Sequence, residues 1–190
     1  MSIYFPRPSN HTPDKFGGPT EPWITREAIN FLEKYLTKEM IIAEFGSGSS
    51  TKWFSNRVKK LVSIENEKEW YLKVVEEVKE SNVDYRLIEY DEKNEESKIK
   101  YANILSEFED EYFDFILIDG RLRNRSLIAS YKKVKKNGIL MLDNAERYFN
   151  AQGIPWYKHG IDFMDGLYNW QKTETNNGII KTVWWKQDAI

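Results

Sequence analysis

Short continuous apolar runs alternate along the chain with longer stretches in which apolar residues recur every three or four positions. The short runs lie at 40–45, 61–65, 113–118 and 139–142, and a further strand, with polar residues interleaved, is expected at 83–90. A run without polar alternation predicts a strand buried on both faces, as in a parallel sheet. Apolar positions at 24, 28, 31, 32, 35 and 36 predict a first helix with one buried face. Further helices are expected at 51–58, 67–80, 99–108 and 125–134, the second with Trp70, Val74, Val75 and Val78 as its inner stripe. The segment 91–97 reads as a charged loop, and Asn137-Gly138 as the stop of the last of these helices. Beyond Asn144 the style changes. Two more strands are expected, at 161–163 and 178–186, with Thr175-Asn176-Asn177-Gly178 as a turn between them or just before the last. Strands alternating with helices predict an α/β protein, a doubly wound seven-stranded sheet, mostly parallel and closed by an antiparallel C-terminal strand pair.

The length of 190 residues favours one domain over 1–190. Residues 1–22 are rich in Pro, Gly and Asn and read as an irregular arm. The arm is either a frayed terminus or a lid, and Tyr4, Phe5, Phe16 and Trp23 give it aromatic content that a disordered tail would not favour. No apolar run approaches the roughly 18 residues of a membrane span, and the first residues lack a signal-peptide pattern. The absence of cysteine excludes disulfides, thiolate metal sites and a cysteine nucleophile. A cytoplasmic protein without membrane association is therefore expected. The net charge of −2 argues against a nucleic-acid partner, since phosphate-backbone binders carry a basic excess or stripe. A homo-oligomer stays open.

The most informative segment is Glu44-Phe45-Gly46-Ser47-Gly48-Ser49-Ser50-Thr51. Strand, Gly-rich turn and helix bring backbone N–H groups close to a nucleotide-like ligand. Glu65 ends the next strand about 20 residues on, the distance at which such folds place a carboxylate on ribose hydroxyls. Dinucleotide sites prefer G-x-G-x-x-G, but here Thr51 stands at the third Gly position. Glu44 would repel a pyrophosphate and attract an ammonium or sulfonium. S-adenosyl-L-methionine carries both cations and no phosphate. A tight turn with no ligand is the plain alternative.

The run E-F-G-S-G-S-S-T with acids at 44 and 65 resembles the first motif of class I S-adenosylmethionine-dependent methyltransferases. The resemblance covers 24–186 and is closer still to a subgroup marked by four segments. Here these are Ser63-Ile64-Glu65 with Trp70, Ile118-Asp119-Gly120-Arg121, Gly138 to Arg147, and Ile161-Asp162-Phe163 with Thr182. It implies the Rossmann-like sheet and the cofactor. In open α/β sheets the ligand sits outside the C-terminal strand ends, which deliver Glu44, Phe45, Gly46, Ser47, Gly48 and Thr51, then Glu65 and Asn66, Tyr90 and Asp91, Asp119, Gly120 and Arg121, and Asp143 and Asn144. The resemblance implies Gly46, Ser47 and Gly48 against the methionine part and ribose, and Glu44 toward the amino group. It implies Glu65 on the ribose, Asn66 or Tyr90 beside the adenine, and Asp119 and Gly120 near the methionine end. Asp91 either accepts from the adenine amino group or is a solvated loop acid.

Methyl transfer needs an aligned nucleophile, excluded water and, for a hydroxyl, a base. Asp119 and Asp143 are the base candidates by position, with Arg121 beside them. Asp119, Asp143 and Asn144 also resemble the all-oxygen site of catechol-type O-methyltransferases, which suits magnesium or a similar hard cation. Alternatively Arg121 pairs with Asp143 and no metal is held. Arg121, Arg123, Arg125 and Arg147 concentrate basic charge near the site. Arg121 and Arg147, with Asn144, are the candidate contacts to an anionic small-molecule acceptor such as a sugar phosphate, uronic acid or nucleotide-linked sugar. The alternative is surface charge paired with nearby acids. His159 is a base or a solvated loop residue, Trp156 and Tyr157 are candidate pocket walls, and Trp184 and Trp185 are core and surface partners. The expected function is methyl transfer to a small-molecule hydroxyl. A non-catalytic module binding the same cofactor is the first alternative, and an NAD-dependent oxidoreductase the weaker one.

Overall fold

A computed structural model of the chain describes residues 17–18, 20–148 and 157–188. The expectations for Tyr4, Phe5, Phe16 and Trp156 fall outside these residues. Helix α1 (Arg26–Tyr35) leads into β1 (Ile41–Phe45), followed by α2 (Ser49–Ser55), β2 (Lys60–Glu65), α3 (Lys68–Glu77) and β3 (Val83–Leu87). Then come α4 (Glu95–Ala102), β4 (Phe113–Ile118), α5 (Arg123–Ser130), β5 (Val134–Leu142), α6 (Lys158–Asp165), β6 (Trp170–Asn176) and β7 (Lys181–Gln187). Single 3₁₀ turns fill 104–107, 131–133 and 145–148.

The strands form one seven-stranded sheet in the order β3-β2-β1-β4-β5-β7-β6. The first five strands of that order pair parallel, and β7 enters antiparallel between β5 and β6. Alternate residues of the central strands feed opposite cores. Phe45, Ile64, Ile118 and Leu142 pack on one face with Tyr101, Leu127 and Trp185. Ile42, Leu61, Leu117 and Met141 pack on the other with Ile29, Phe54 and Trp184. Burial on both faces is why these strands read as unbroken apolar runs.

Several boundaries differ from the sequence reading. Ile161-Asp162-Phe163 is not a strand but the middle of α6, whose Ile161 and Met164 are buried at helical spacing. The outer strand is instead β6, whose Trp170 alone is buried in an otherwise exposed or half-exposed run. Its turn to β7 is built by Asn177, whose Oδ1 accepts from the N–H groups of Ile179 and Ile180 at 3.0 Å each. Asn137-Gly138 does not stop a helix. It lies inside β5, where Asn137 takes a positive φ of 64° and the pairing with β4 shifts register. Val74 in α3 and Val78 just beyond its end are buried, but Val75 is 37% exposed. The charged loop at 91–97 is shorter than expected, because Asn94 Oδ1 accepts from Ser97 N at 3.1 Å and starts α4 at Glu95. Trp184 and Trp185 are both core residues, 7% and 0% exposed on opposite faces.

Candidate active site

The sheet order reverses between β1 and β4, and in open α/β sheets a ligand crevice forms at that switch point. Two glycines allow the closest approach there. A Cβ on Gly46 would lie 2.7 Å from Gly120 N, and one on Gly120 would lie 2.8 Å from Gly46 N and 2.7 Å from the Tyr101 hydroxyl. Gly46 also sits at φ +89°, a conformation that costs a side-chain-bearing residue energy. Above them opens a cavity of about 800 Å³, with a smaller lobe of about 80 Å³ beside Gly48 and Ser49. Trp23, Ser47, Trp70 and Asp119 border both.

Glu65 is anchored beside the glycine turn. Its Oε2 accepts from Ser47 N at 3.1 Å and Ser47 Oγ at 2.8 Å, and its Oε1 accepts from Asn66 N and Glu67 N at 2.8 Å each. These four donors fill the usual acceptor capacity of a carboxylate. Ser47 Oγ has a second partner in the Tyr85 hydroxyl at 2.7 Å, and Ser47 O accepts from Trp70 Nε1 at 2.8 Å. The turn is therefore held on both its N–H and C=O sides.

Of the expected site residues, Gly46, Ser47, Glu65, Asn66, Tyr90, Asp119, Gly120, Arg121 and Arg147 border the large cavity, and Gly48 borders the lobe. Glu44, Phe45 and Thr51 are fully buried in the layer beneath, none of them bordering the large cavity. Glu44 accepts from Ser50 Oγ and Ser63 Oγ at 2.7 Å each. Burial pushes its carboxyl up to about 7, against the lowering effect of hydroxyl donors and with some help from Asp119. Thr51 Oγ1 accepts from Gly48 N at 3.0 Å, so it shapes the turn. Asp91 is exposed, and its Oδ1 accepts from Lys93 N at 2.8 Å. Glu92 borders the cavity in its place.

Asp143 is 1% exposed and does not border the cavity. Its Oδ1 accepts from Thr182 Oγ1 at 2.8 Å, and Thr182 Oγ1 in turn accepts from Thr25 N at 3.2 Å. Asp143 thus ties the end of β5 to β7 and to the entry of α1. Burial, and then the neighbouring Asp119, push its carboxyl well above the usual range. Asp119 is raised too, by burial, with the Arg123 guanidinium pulling the other way.

The arginine that pairs in this cluster is Arg123, not Arg121. Arg123 Nη2 meets Asp119 Oδ1 at 2.9 Å, while Arg121 lies exposed at the cavity edge. Arg123 stands four residues beyond Asp119, across the turn that leads from β4 into α5, and its charge alone does not distinguish it from Arg121 or Arg125. Arg125 is paired with Glu95 across α4 and α5. Among the described residues no group of three or more His, Asp or Glu side chains is arranged to hold a metal ion. Leu122, Asn124, Glu67 and Tyr157 also border the cavity, and His159 is exposed on α6. The lining is acidic where β2 and β3 end, at Glu65, Glu67 and Glu92. It is basic after β4, at Arg121, Arg123 and Arg125, and after β5, at Arg147.

No family model matches the chain, and no curated protein matches it. Solved structures do. An rRNA methylase from Streptococcus thermophilus superposes with a TM-score of 0.60 at 15% identity, over 84% of this chain and 94% of that one. SMU.1697c from Streptococcus mutans, solved in complex with SAH, gives 0.59 at 13% identity over 83% and 94%. The N-methyltransferase NodS from Bradyrhizobium japonicum gives 0.61 at 10% identity over 86% and 93%. The fold of this chain is the Rossmann-like fold that these methyltransferase structures share.

Proposed function

We propose that the chain binds S-adenosyl-L-methionine at the β1–β4 crevice and transfers its methyl group to a hydroxyl of a small anionic acceptor. One observation carries the reading: Glu65 lies beside the Gly46–Ser47 backbone, in a cavity of about 800 Å³ at the switch point of the sheet. A fold shared with a structure solved in complex with SAH, the demethylated product of this cofactor, supports it.

The residues present fit the cofactor. Glu65 would hold the ribose hydroxyls, displacing Ser47 Oγ, which keeps the Tyr85 hydroxyl as a partner. Tyr90 and Asn66 border the adenine side. Asp119, above the buried Glu44, supplies negative charge toward the methionine end, where a pyrophosphate would be repelled. When bound, the cofactor supplies an electrophilic methyl on a sulfonium. Asp119 is the base candidate that faces the cavity. Arg123 holds its Oδ1, which leaves Oδ2 to take the acceptor proton, and burial raises its affinity for that proton. Arg121 and Arg147 border the same cavity and suit a carboxylate or phosphate on the acceptor.

Calorimetric titration with S-adenosylhomocysteine, with NAD in a parallel run, tests the reading. Micromolar binding of the former, silence with NAD, and loss of binding in Glu65→Ala are expected. NAD binding in place of S-adenosylhomocysteine, or no binding of either, would sink it.

A further inference from the structure

Arg123 is 8% exposed, although it carries a permanent charge. A guanidinium has five N–H hydrogens, one on Nε and two on each terminal nitrogen. Here they meet five oxygen contacts. Nε donates to Gly120 O at 2.9 Å. Nη1 donates to Asp143 O at 2.6 Å and Asn144 Oδ1 at 3.1 Å. Nη2 donates to Asp119 O at 2.6 Å and Asp119 Oδ1 at 2.9 Å. The oxygens come from the C-terminal ends of β4 and β5 and include two of the side chains, Asp119 and Asn144, of the all-oxygen metal set expected from the sequence.

The backbone is bent to make this arrangement. Leu122 and Asn144 both take positive φ, 50° and 53°, and they flank Arg123 and its acceptor. Non-glycine residues in that region are strained and persist only where the surroundings fix them. The Leu122 conformation starts α5 so that Arg123 turns back toward the strand ends. The Asn144 conformation accompanies the placement of its Oδ1 on Nη1.

We infer that Arg123 is the resident cation of this site: its guanidinium takes the oxygen set that a divalent metal would need and positions Asp119 in a metal's place. A metal ion does not fit beside it: Asp119 Oδ1 and Asn144 Oδ1 already face the guanidinium, Asp143 Oδ1 is turned to Thr182, and two cations would be held close together in a buried place. Lysine cannot replace it, since one ammonium cannot reach oxygens spread around a planar fork. With every donor spent on the protein, Arg123 is a positioning residue and leaves acceptor binding to Arg121 and Arg147. The role of the positioned Asp119 rests on the proposed function, whereas the occupation of the oxygen set does not.

Mn²⁺ titration followed by electron paramagnetic resonance tests the occupation directly. The wild-type protein is expected to bind no stoichiometric Mn²⁺, and its affinity for S-adenosylhomocysteine should change by less than about two-fold between chelator and magnesium buffers. Arg123→Ala should bind one Mn²⁺ and lose about ten-fold or more in S-adenosylhomocysteine affinity, part of which Mn²⁺ restores, a rescue that a merely structural role would not show. Arg123→Lys, which keeps the stem and charge, should lose affinity and stay silent to Mn²⁺. One Mn²⁺ bound by the wild type and lost in Asp119→Asn would overturn the inference. A folded Arg123→Ala that binds no Mn²⁺, or an Arg123→Lys with wild-type affinity, would overturn it as well. If wild-type protein ignores S-adenosylhomocysteine, the proposed function fails, and the Mn²⁺ result still decides this inference.

Discussion

Replacing Gly46 by alanine probes the switch point at its tightest contact. The new Cβ would lie 2.7 Å from Gly120 N, 2.8 Å from Gly120 Cα and 3.0 Å from the Asp119 carbonyl carbon. All three are backbone atoms of the neighbouring strand end, so no side chain can swing aside. Forcing a methyl into such a place costs about 1–3 kcal/mol. The φ of +89° adds about 1–2 kcal/mol for any residue with a Cβ. Gly178 supplies the control, with φ +85° and nothing within 4 Å of its Cβ position. Gly178→Ala therefore carries the conformational cost alone. In a chain of this size about 1 kcal/mol moves the melting temperature by about 2–4 °C. Gly46→Ala should melt about 2–12 °C below Gly178→Ala, and calorimetric titration should show it alone losing S-adenosylhomocysteine. Thermal unfolding followed by circular dichroism reads the difference. Equal melting of the two variants would refute the claim that the two strand ends touch through their glycines.

Glu65→Gln places an NH₂ group against two backbone or hydroxyl donors, and a hydrogen bond to a charged group is worth about 1.5–3 kcal/mol. S-adenosylhomocysteine affinity should fall about 10–100-fold by calorimetry, while Glu67→Gln at the exposed cavity edge should change it little; equal effects would remove Glu65 from its assigned role. Asp143→Asn keeps an oxygen for Thr182 to donate to, so affinity should stay within about two-fold and melting within about 3 °C. Loss of turnover with binding intact would instead put Asp143 into the chemistry. Glu44 binds its proton more tightly folded than unfolded, with a folded value of about 7 against 4.5. Its contribution is therefore fully present below about pH 4.5 and lost as pH rises toward 7. Glu44→Gln should gain stability relative to wild type across that window, by up to about 3 kcal/mol in denaturant melts, and a flat difference would contradict the burial argument.

The central sheet was legible because its chemistry is uniform. Strands such as Phe113–Ile118 are covered on both faces, so they read as unbroken apolar runs, and Glu44, Glu65 and Asp119 stand where those runs end. The sheet edge was not legible for the converse reason. In β6 only Trp170 is buried, and the exposed run from Gln171 to Glu174 carries no alternation. Ile161-Asp162-Phe163-Met164 fits a strand as well as a helix over so few residues, and only the packing of Ile161 and Met164 on one face decides. At the site, proximity to the Gly-rich turn picked out Gly46, Ser47, Glu65 and Asn66 at the β1 and β2 ends, which border the cavity. Depth was invisible: sequence order does not reveal that Glu44 and Asp143 lie under the cavity floor while Glu92 and Arg123 border it. Arg123 was hidden because Arg121, Arg123 and Arg125 are indistinguishable by charge, and only the left-handed Leu122 at the head of α5 decides which one turns inward.

The depth of the acids has a consequence for cofactor choice. Glu44, Asp119 and Asp143 lie at the ends of β1, β4 and β5, and burial raises all three, with one guanidinium among them. Asp119 raises both Glu44 and Asp143, while Arg123 and Arg147 pull Asp119 the other way, so negative charge on Asp119 is repelled by its two buried neighbours. A cation entering above them relieves that repulsion. S-adenosylmethionine brings a sulfonium and an ammonium, whereas S-adenosylhomocysteine brings the ammonium alone. As pH rises through about 7, Glu44 ionises and the floor becomes more negative. The ratio of S-adenosylmethionine to S-adenosylhomocysteine affinity should therefore increase with pH, by up to about ten-fold, the factor that about 1.4 kcal/mol of added attraction gives. Glu44→Gln should flatten the rise. Parallel calorimetric titrations of both ligands across that range measure it. A ratio independent of pH in the wild type would mean that the buried acids set the shape of the turn and contribute nothing to the field in the crevice.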